Sequence, residues 1–314
     1  MAEFLYGTWG SFKKHLFLLL FLLTLLLNGK SLMAQETGLK AQDSSNTDPE
    51  RMKTLLYVGG AGYTTGCVGL YALWYSNQSA TGFHFFNDNR QWMLIDKLGH
   101  AYSAFHLSRT SASALQWAGM SSRKAGVYGS LAGFMAMLPI EIMDGFAPAY
   151  GASPGDIVAN SAGALLYGGQ LLLWDEIRIR PKFSFHTTGY AAIRPNTLGN
   201  NLPAQILKDY NGQTHWFSAD LEKFLPEGNK FPKWLNLAAG YGAEGMVYGQ
   251  PEENHLAGYY AVKQFYFGPD IDLSGIKTKN RLVKALLFVL EGVRLPSPAL
   301  EINKNRIRLH PVYF

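Results

Sequence analysis

The spacing of apolar residues divides the chain into a helix-period half and a strand-period half. Residues 54–87 contain no Asp, Glu, Lys or Arg, and within them TLLYVGGAGYTTGCVGLYALWY at 54–75 ends in an aromatic cluster of Tyr71, Trp74 and Tyr75. Its length and aromatic flank suit a membrane span. Five glycines, at 59, 60, 62, 66 and 69, make it a poor isolated helix in water and favour tight packing on neighbours, as in a buried core helix. Three further helices are predicted at about 94–118, 124–143 and 155–174, the last two built on uncharged runs at 125–140 and 157–174. The first of these three carries Asp96, Lys97, His100, His106 and Arg109, so it cannot lie in lipid without partners. The pattern predicts a bundle of four to five apolar helices, either membrane-embedded or packed in water.

After Trp174 the period changes. DEIRIRPK brings charge, and Pro181 stops the helix. KFSFH at 182, HWFSADL at 215, WLNLAAGYG at 234, GYYAVKQFYFGPDIDL at 258 and IRLHPVYF at 307 alternate between turn residues, which predicts about five antiparallel strands. NRLVKALLFVLEGV from Asn280 is an amphipathic helix, with PSP at 296–298 marking its exit. The fold class is therefore α+β, with an N-terminal helical bundle followed by a smaller antiparallel β-rich region. Its divisions are a signal peptide at 1–34, a polar linker at 35–50, the bundle at 51–177 and the β-rich part at 178–314. A terminal Phe314 after an alternating strand is also how many outer-membrane barrels end. His310 and Pro311 break the alternation, and five strands are too few for an eight-strand barrel, which favours a small open sheet.

Composition changes the picture at the N-terminus. Lys13 and Lys14 precede an apolar run at 16–27 and then SLMAQ at 31–35, the order of a signal peptide with cleavage expected after Ala34. Leu32 is large for its place, which leaves retention as an anchor open. No Cys lies near that junction for lipid attachment, and a single Cys67 forms no intramolecular disulfide. The net charge of +5 shrinks once residues 1–34 are removed and does not argue for nucleic acid. Expected partners are membrane lipid or another envelope component, with a protein partner left open. The chain is expected to be exported to the periplasm and membrane-associated, at the inner or the outer membrane.

The candidate chemistry is a set of polar pairs on apolar helices. Asp96 and His100 are four apart, Glu141 and Asp144 three apart, and Asp156 and Asn160 four apart, so each pair shares a helix face. Ser153 or Pro154 starts the third helix and places Asp156 near its positive end. Each buried carboxylate must meet a cation, a proton or a metal, and Lys97, His100 and Arg109 are the nearest cations in sequence. His84, His186, His215, His255 and His310 are read as surface or hydrogen-bonded residues. Gly240 and Gly242 suggest a turn or strand crossing, Cys67 a packing residue, and RIRPK at 178–182 a solvated boundary resting on anionic head groups.

DKLGHAYSAFHLSR, EIMDGF and GASPGDIVANSAGALLYGGQ together resemble the uncharacterised family of predicted periplasmic lipoproteins, domain of unknown function 2279, and FHFFNDNRQW resembles its longer Bacteroidetes members. More distantly, their order is similar to that in VanZ-like membrane proteins. The resemblance covers roughly residues 80 to 175. It implies an envelope protein with a helical domain, and its polar residues here are Asp96, Lys97, His100, Glu141, Asp144, Ser153, Asp156 and Asn160. It carries no reaction.

The reading favoured by these residues is a structural or binding role in which the polar cluster fixes helix packing. The alternative is a membrane-proximal hydrolase or transferase acting on a lipid or cell-wall substrate. His100, Glu141 and Asp144 would be its catalytic candidates, and His100, Glu141, Asp144 and Asp156 its ligands for a divalent metal. No other cofactor is predicted. A transporter role finds no inverted repeat or broken helix pair to support it.

Overall fold

The computed structural model describes residues 47–75, 79–304 and 306–314. The signal peptide and most of the linker lie outside the described residues. The linker reading ends early, because Asp48 accepts from the backbone of Glu50 and Arg51 and caps helix α1 (Pro49–Thr54). The chain continues through a π-wound stretch, Leu55–Gly59, into α2 (Gly60–Trp74). The bundle proper is α3 (Ile95–Trp117), α4 (Ser122–Gly145) and α5 (Pro154–Trp174). Of the described helices, α4 and α5 are long and apolar enough to cross a membrane by length and composition.

Small residues let these three helices approach backbone to backbone. Gly129 and Gly133 of α4 lie against Ala112 and Ser108 of α3, where an added Cβ would come within 2.6 Å and 2.2 Å of those residues. Gly163 of α5 meets the carbonyl oxygen of Ala101 in the same way, at 2.0 Å. The spacing of four on both α3 and α4 is the small-residue pattern of close helix crossing.

Six strands follow: β1 (Ile179–Phe185), β2 (Gln213–Ala219), β3 (Leu235–Glu244), β4 (Val262–Ile271), β5 (Ser297–Asn303) and β6 (Arg306–Tyr313). They form one antiparallel meander in chain order. The predicted amphipathic helix is α6 (Arg281–Leu290), capped by Asn280. The fold is thus α+β, with one strand more than predicted. Strand β5 was hidden because PSP at 296–298 reads as a loop, while Pro298 in fact sits exposed on the strand.

The sheet is curled. Thr214 on β2 and Tyr313 on β6 are four strands apart, roughly 19 Å in a flat sheet at about 4.8 Å per strand, yet their side-chain oxygens lie 2.8 Å apart. The concave face is polar as well as aromatic. Lys182 pairs with Asp270, Ser218 donates to Asp270, and Arg294 lies 3.5 Å from the Trp216 ring centre. The solvated-boundary reading of 178–182 is overturned here: strand alternation turns Arg180 and Lys182 inward, onto Asp272, Glu291 and Asp270. Gly240 is neither a turn nor a crossing. It lies within β3 under the Trp216 ring, where a Cβ would come within 2.5 Å of an indole carbon.

Candidate functional site

Helix α3 begins unusually. Trp92, Met93 and Leu94 are all left-handed, with φ of 48°, 51° and 67°. The Trp92 amide donates to Gly249, the Tyr241 hydroxyl donates to the Met93 carbonyl, and the Trp92 ring stacks near Tyr210. These contacts hold a conformation that costs non-glycine residues about 1–2 kcal/mol each and deliver Asp96 and Lys97 to the bundle's centre. Leu94 is half-exposed, so Leu94→Gly gives up little packing and is expected to leave the thermal midpoint unchanged or higher. Leu94→Val, with a branched Cβ, is expected to lower it. Thermal unfolding followed by circular dichroism checks both.

The eight polar residues named from sequence come together. Lys97 Nζ lies 2.7 Å from Asp88, 2.7 Å from Asp156 Oδ1 and 3.2 Å from Asp96. His100 Nδ1 donates to Asn160 Oδ1 at 3.1 Å and lies 3.4 Å from Glu141 Oε1. Its Nε2 faces Asp156 Oδ1 at 3.7 Å and Asp96 Oδ1 at 4.0 Å. Ser153 caps α5: its hydroxyl accepts from the Asp156 amide and donates to Asp88, and its own amide donates to Glu141. Pro154 takes the first helical position, so the α5 start matches the sequence expectation.

Three further members were not found from sequence. Asp88 lies in the loop before α3, where no periodicity marks it. Tyr210 donates to Asp96 at 2.9 Å, and Tyr75 donates to Asp144 at 2.6 Å. No spacing rule links either tyrosine to the bundle acids. Arg109 is excluded from the cluster. Nine residues after His100, it faces the opposite side of α3, where it pairs with Glu291 at 2.6 Å. His215 is also corrected: it is buried beside Tyr102 and Phe183, and neither ring nitrogen has a hydrogen-bond partner among the described residues. Burial pushes its pKa down to about 4, so the ring is neutral.

Charge governs the site. Five carboxylates, those of Asp88, Asp96, Glu141, Asp144 and Asp156, surround one lysine and one histidine. Burial pushes Glu141 up to about 7 and Asp144 up to about 6. Burial alone would lower His100, but Asp96, Asp156 and Glu141 hold it above its ordinary value. Burial would raise Asp96, but His100 and Lys97 hold it below its ordinary value. Glu141, Asp144 and His100 thus bind protons more tightly in the folded chain. Their contribution is full at low pH and is lost as pH rises through their folded values, while that of Asp96 is lost only as pH falls through its own lowered value. These groups favour a stability that declines as pH rises, whereas His106, His186 and His215, held below their ordinary value by burial, act in the opposite sense below about 6.5. The sign is therefore read as a difference: the unfolding free energy of the chain relative to Glu141→Gln is expected to decline between 4.5 and about 7. Urea titrations of both proteins across this range test it, and a difference that rises over the window would contradict it.

Fold and site define an α+β protein whose three close-packed helices enclose a buried polar centre with more carboxylates than cations. Residues 82–169, which carry the whole α3 to α5 part of that centre, match the family model described as Predicted periplasmic lipoprotein (DUF2279). That description is consistent with an exported, envelope-associated chain of uncharacterised role. Neither a curated protein nor a solved structure matched the chain.

Proposed function

We propose that this envelope protein has a structural or binding role in which the polar centre locks the bundle and joins it to the sheet. The observation that carries this reading is Lys97: one ammonium holds carboxylates from the loop before α3, from α3 itself and from α5. Tyr210, just ahead of β2, ties Asp96 to the β-rich part. Most members of this buried network are paired with one another, with Glu141 Oε1 and Asn160 Nδ2 left without a hydrogen-bond partner among the described residues, and such pairing favours one packing arrangement. Asp96→Asn and Asp156→Asn are expected to reduce thermal stability and abundance. Unchanged melting together with lost complementation of a deletion strain would overturn the reading.

One observation favours a second reading, a metal-assisted hydrolase or transferase on a lipid or cell-wall substrate. Asp96, His100 and Asp156 each offer a ligand atom, all within 4.8 Å of one another. The Asn160 and Glu141 contacts to Nδ1 leave Nε2 directed at the two aspartates, the outer-shell arrangement of many metal-bound histidines. Against it, Lys97 already sits on Asp156 Oδ1, the oxygen that faces His100 Nε2. Metal analysis of the purified protein and of His100→Ala discriminates the two: equal near-zero metal removes the second reading, and stoichiometric metal lost in the variant supports it.

A further inference from the structure

In a sheet exposed to water on one side, the polar half of the strand period faces solvent. Here it faces inward. On the concave side, Lys182, Ser218, Asn236, Asp270 and Glu301 are all buried, while the convex side is apolar: α3 and the turn before it cover it at Phe183, His215, Tyr241 and Ala243, and beyond those residues it is open. Phe217, Ala239, Phe267, Leu300 and Leu309 sit directly opposite one another across five strands and form a continuous row. All five are exposed. A second row, Phe265, Ile302 and Ile307, runs beside it, and Leu237 and Pro269 start a third on the other side. A shallow depression of about 350 Å³ lies on this face, with Leu235, Leu237, Phe267, Pro269 and Leu300 among its lining.

Basic side chains frame the band. Lys263, Lys304 and Arg306 stand exposed at the end of the sheet where β4 and β6 begin, with Glu244 exposed beside them. Lys277 and Lys279 are exposed in the loop that follows β4 at the other end. Apolar rows between cationic rims complement a surface with an acyl interior and anionic head groups. The height of the band sets how deep it goes. Three rows two residues apart cover roughly 13 Å at about 3.3 Å per residue, half of the roughly 25 Å band of a spanning barrel.

The sheet edges agree with a seat on the membrane rather than a path through it. The β1 edge is bonded to the segment after α6, through the Phe183 amide to Gly292 and the Arg294 amide to Phe183. The β6 edge carries Arg306, Arg308 and Pro311, residues that discourage pairing with another strand and suit a wet rim.

We propose that the convex face of the sheet is a lipid-docking surface, seated in one leaflet of an anionic membrane with its lysines and arginines at head-group level. The proposal is independent of the polar-centre reading. The test uses the full chain with Cys67→Ser and a nitroxide attached through Phe267→Cys or Leu300→Cys, with Lys233→Cys as a rim control. Each labelled protein is bound to vesicles of phosphatidylethanolamine and phosphatidylglycerol. Circular dichroism melts confirm that each variant folds, and Phe267 and Leu300 are already exposed, so the label displaces no core. The expected result is that labels at 267 and 300 are relaxed more by oxygen than by a water-soluble nickel chelate, with the order reversed at 233. Chelate-favoured relaxation at 267 and 300 overturns the proposal. So does shielding from both relaxants with spin–spin broadening, which would place a second copy of the chain on this face. In vesicle flotation, failure of the labelled proteins to float with the vesicles would also overturn the proposal.

Discussion

Lys97→Met is expected to lower the unfolding free energy by about 3–5 kcal/mol, the cost of leaving buried carboxylates without their cation. Asp156 and Asp88 each lie 2.7 Å from the ammonium, and Asp96 follows at 3.2 Å. Methionine keeps much of the side-chain volume and removes the charge, so the loss reports electrostatics more than packing. Adding Asp156→Asn to Lys97→Met should recover part of the loss, because the double variant buries one uncompensated charge fewer. Chemical denaturation of the four proteins gives the coupling directly. A loss under about 1 kcal/mol for Lys97→Met would mean that water reaches the cluster and screens it as at a surface.

Gly163→Val is expected to cost about 3 kcal/mol, at the upper end for overpacking, because its Cβ would fall 2.0 Å from the Ala101 carbonyl oxygen. The obstacle is backbone, so no side-chain rotation relieves it and α5 must move away from α3. That movement also stretches the His100 to Asn160 hydrogen bond, so the substitution should disturb the polar centre from a site that carries no charge. Gly169, further along α5, supplies the control: nothing lies within 4 Å of its Cβ position. Gly169→Ala should therefore be neutral or stabilising by up to about 1 kcal/mol through helix propensity alone. Equal thermal midpoints for the two variants would refute the close-approach argument.

The legible parts of the chain were those with a period. The uncharged runs at 125–140 and 157–174 gave α4 and α5, and the pairs three and four apart placed six polar residues of the cluster on common helix faces. Positions whose role depends on tertiary approach were not legible. Asp88 sits in a loop and reaches Lys97 only after α3 has turned it inward, and Tyr75 and Tyr210 act across 69 and 114 residues of chain. Arg109 was misjudged because nearness in sequence was weighed above helical phase. The basic stretch at 178–182 was misjudged because charge normally means solvent, and in this sheet the concave side is the charged one. Strand β5 was missed because Pro296 and Pro298 read as punctuation although one of them lies on the strand.

The Arg109 to Glu291 pair spans 182 residues, and both partners are almost fully buried. A nascent chain that emerges from its N-terminus can therefore thread most of its helices together long before the counter-charge for that guanidinium has been synthesised. Until Glu291 is made, within the last tenth of the chain, that guanidinium stays on the flank of α3, hydrated rather than paired, and the contact that seats α6 on the bundle cannot close. Truncation after Trp174 would make that state permanent.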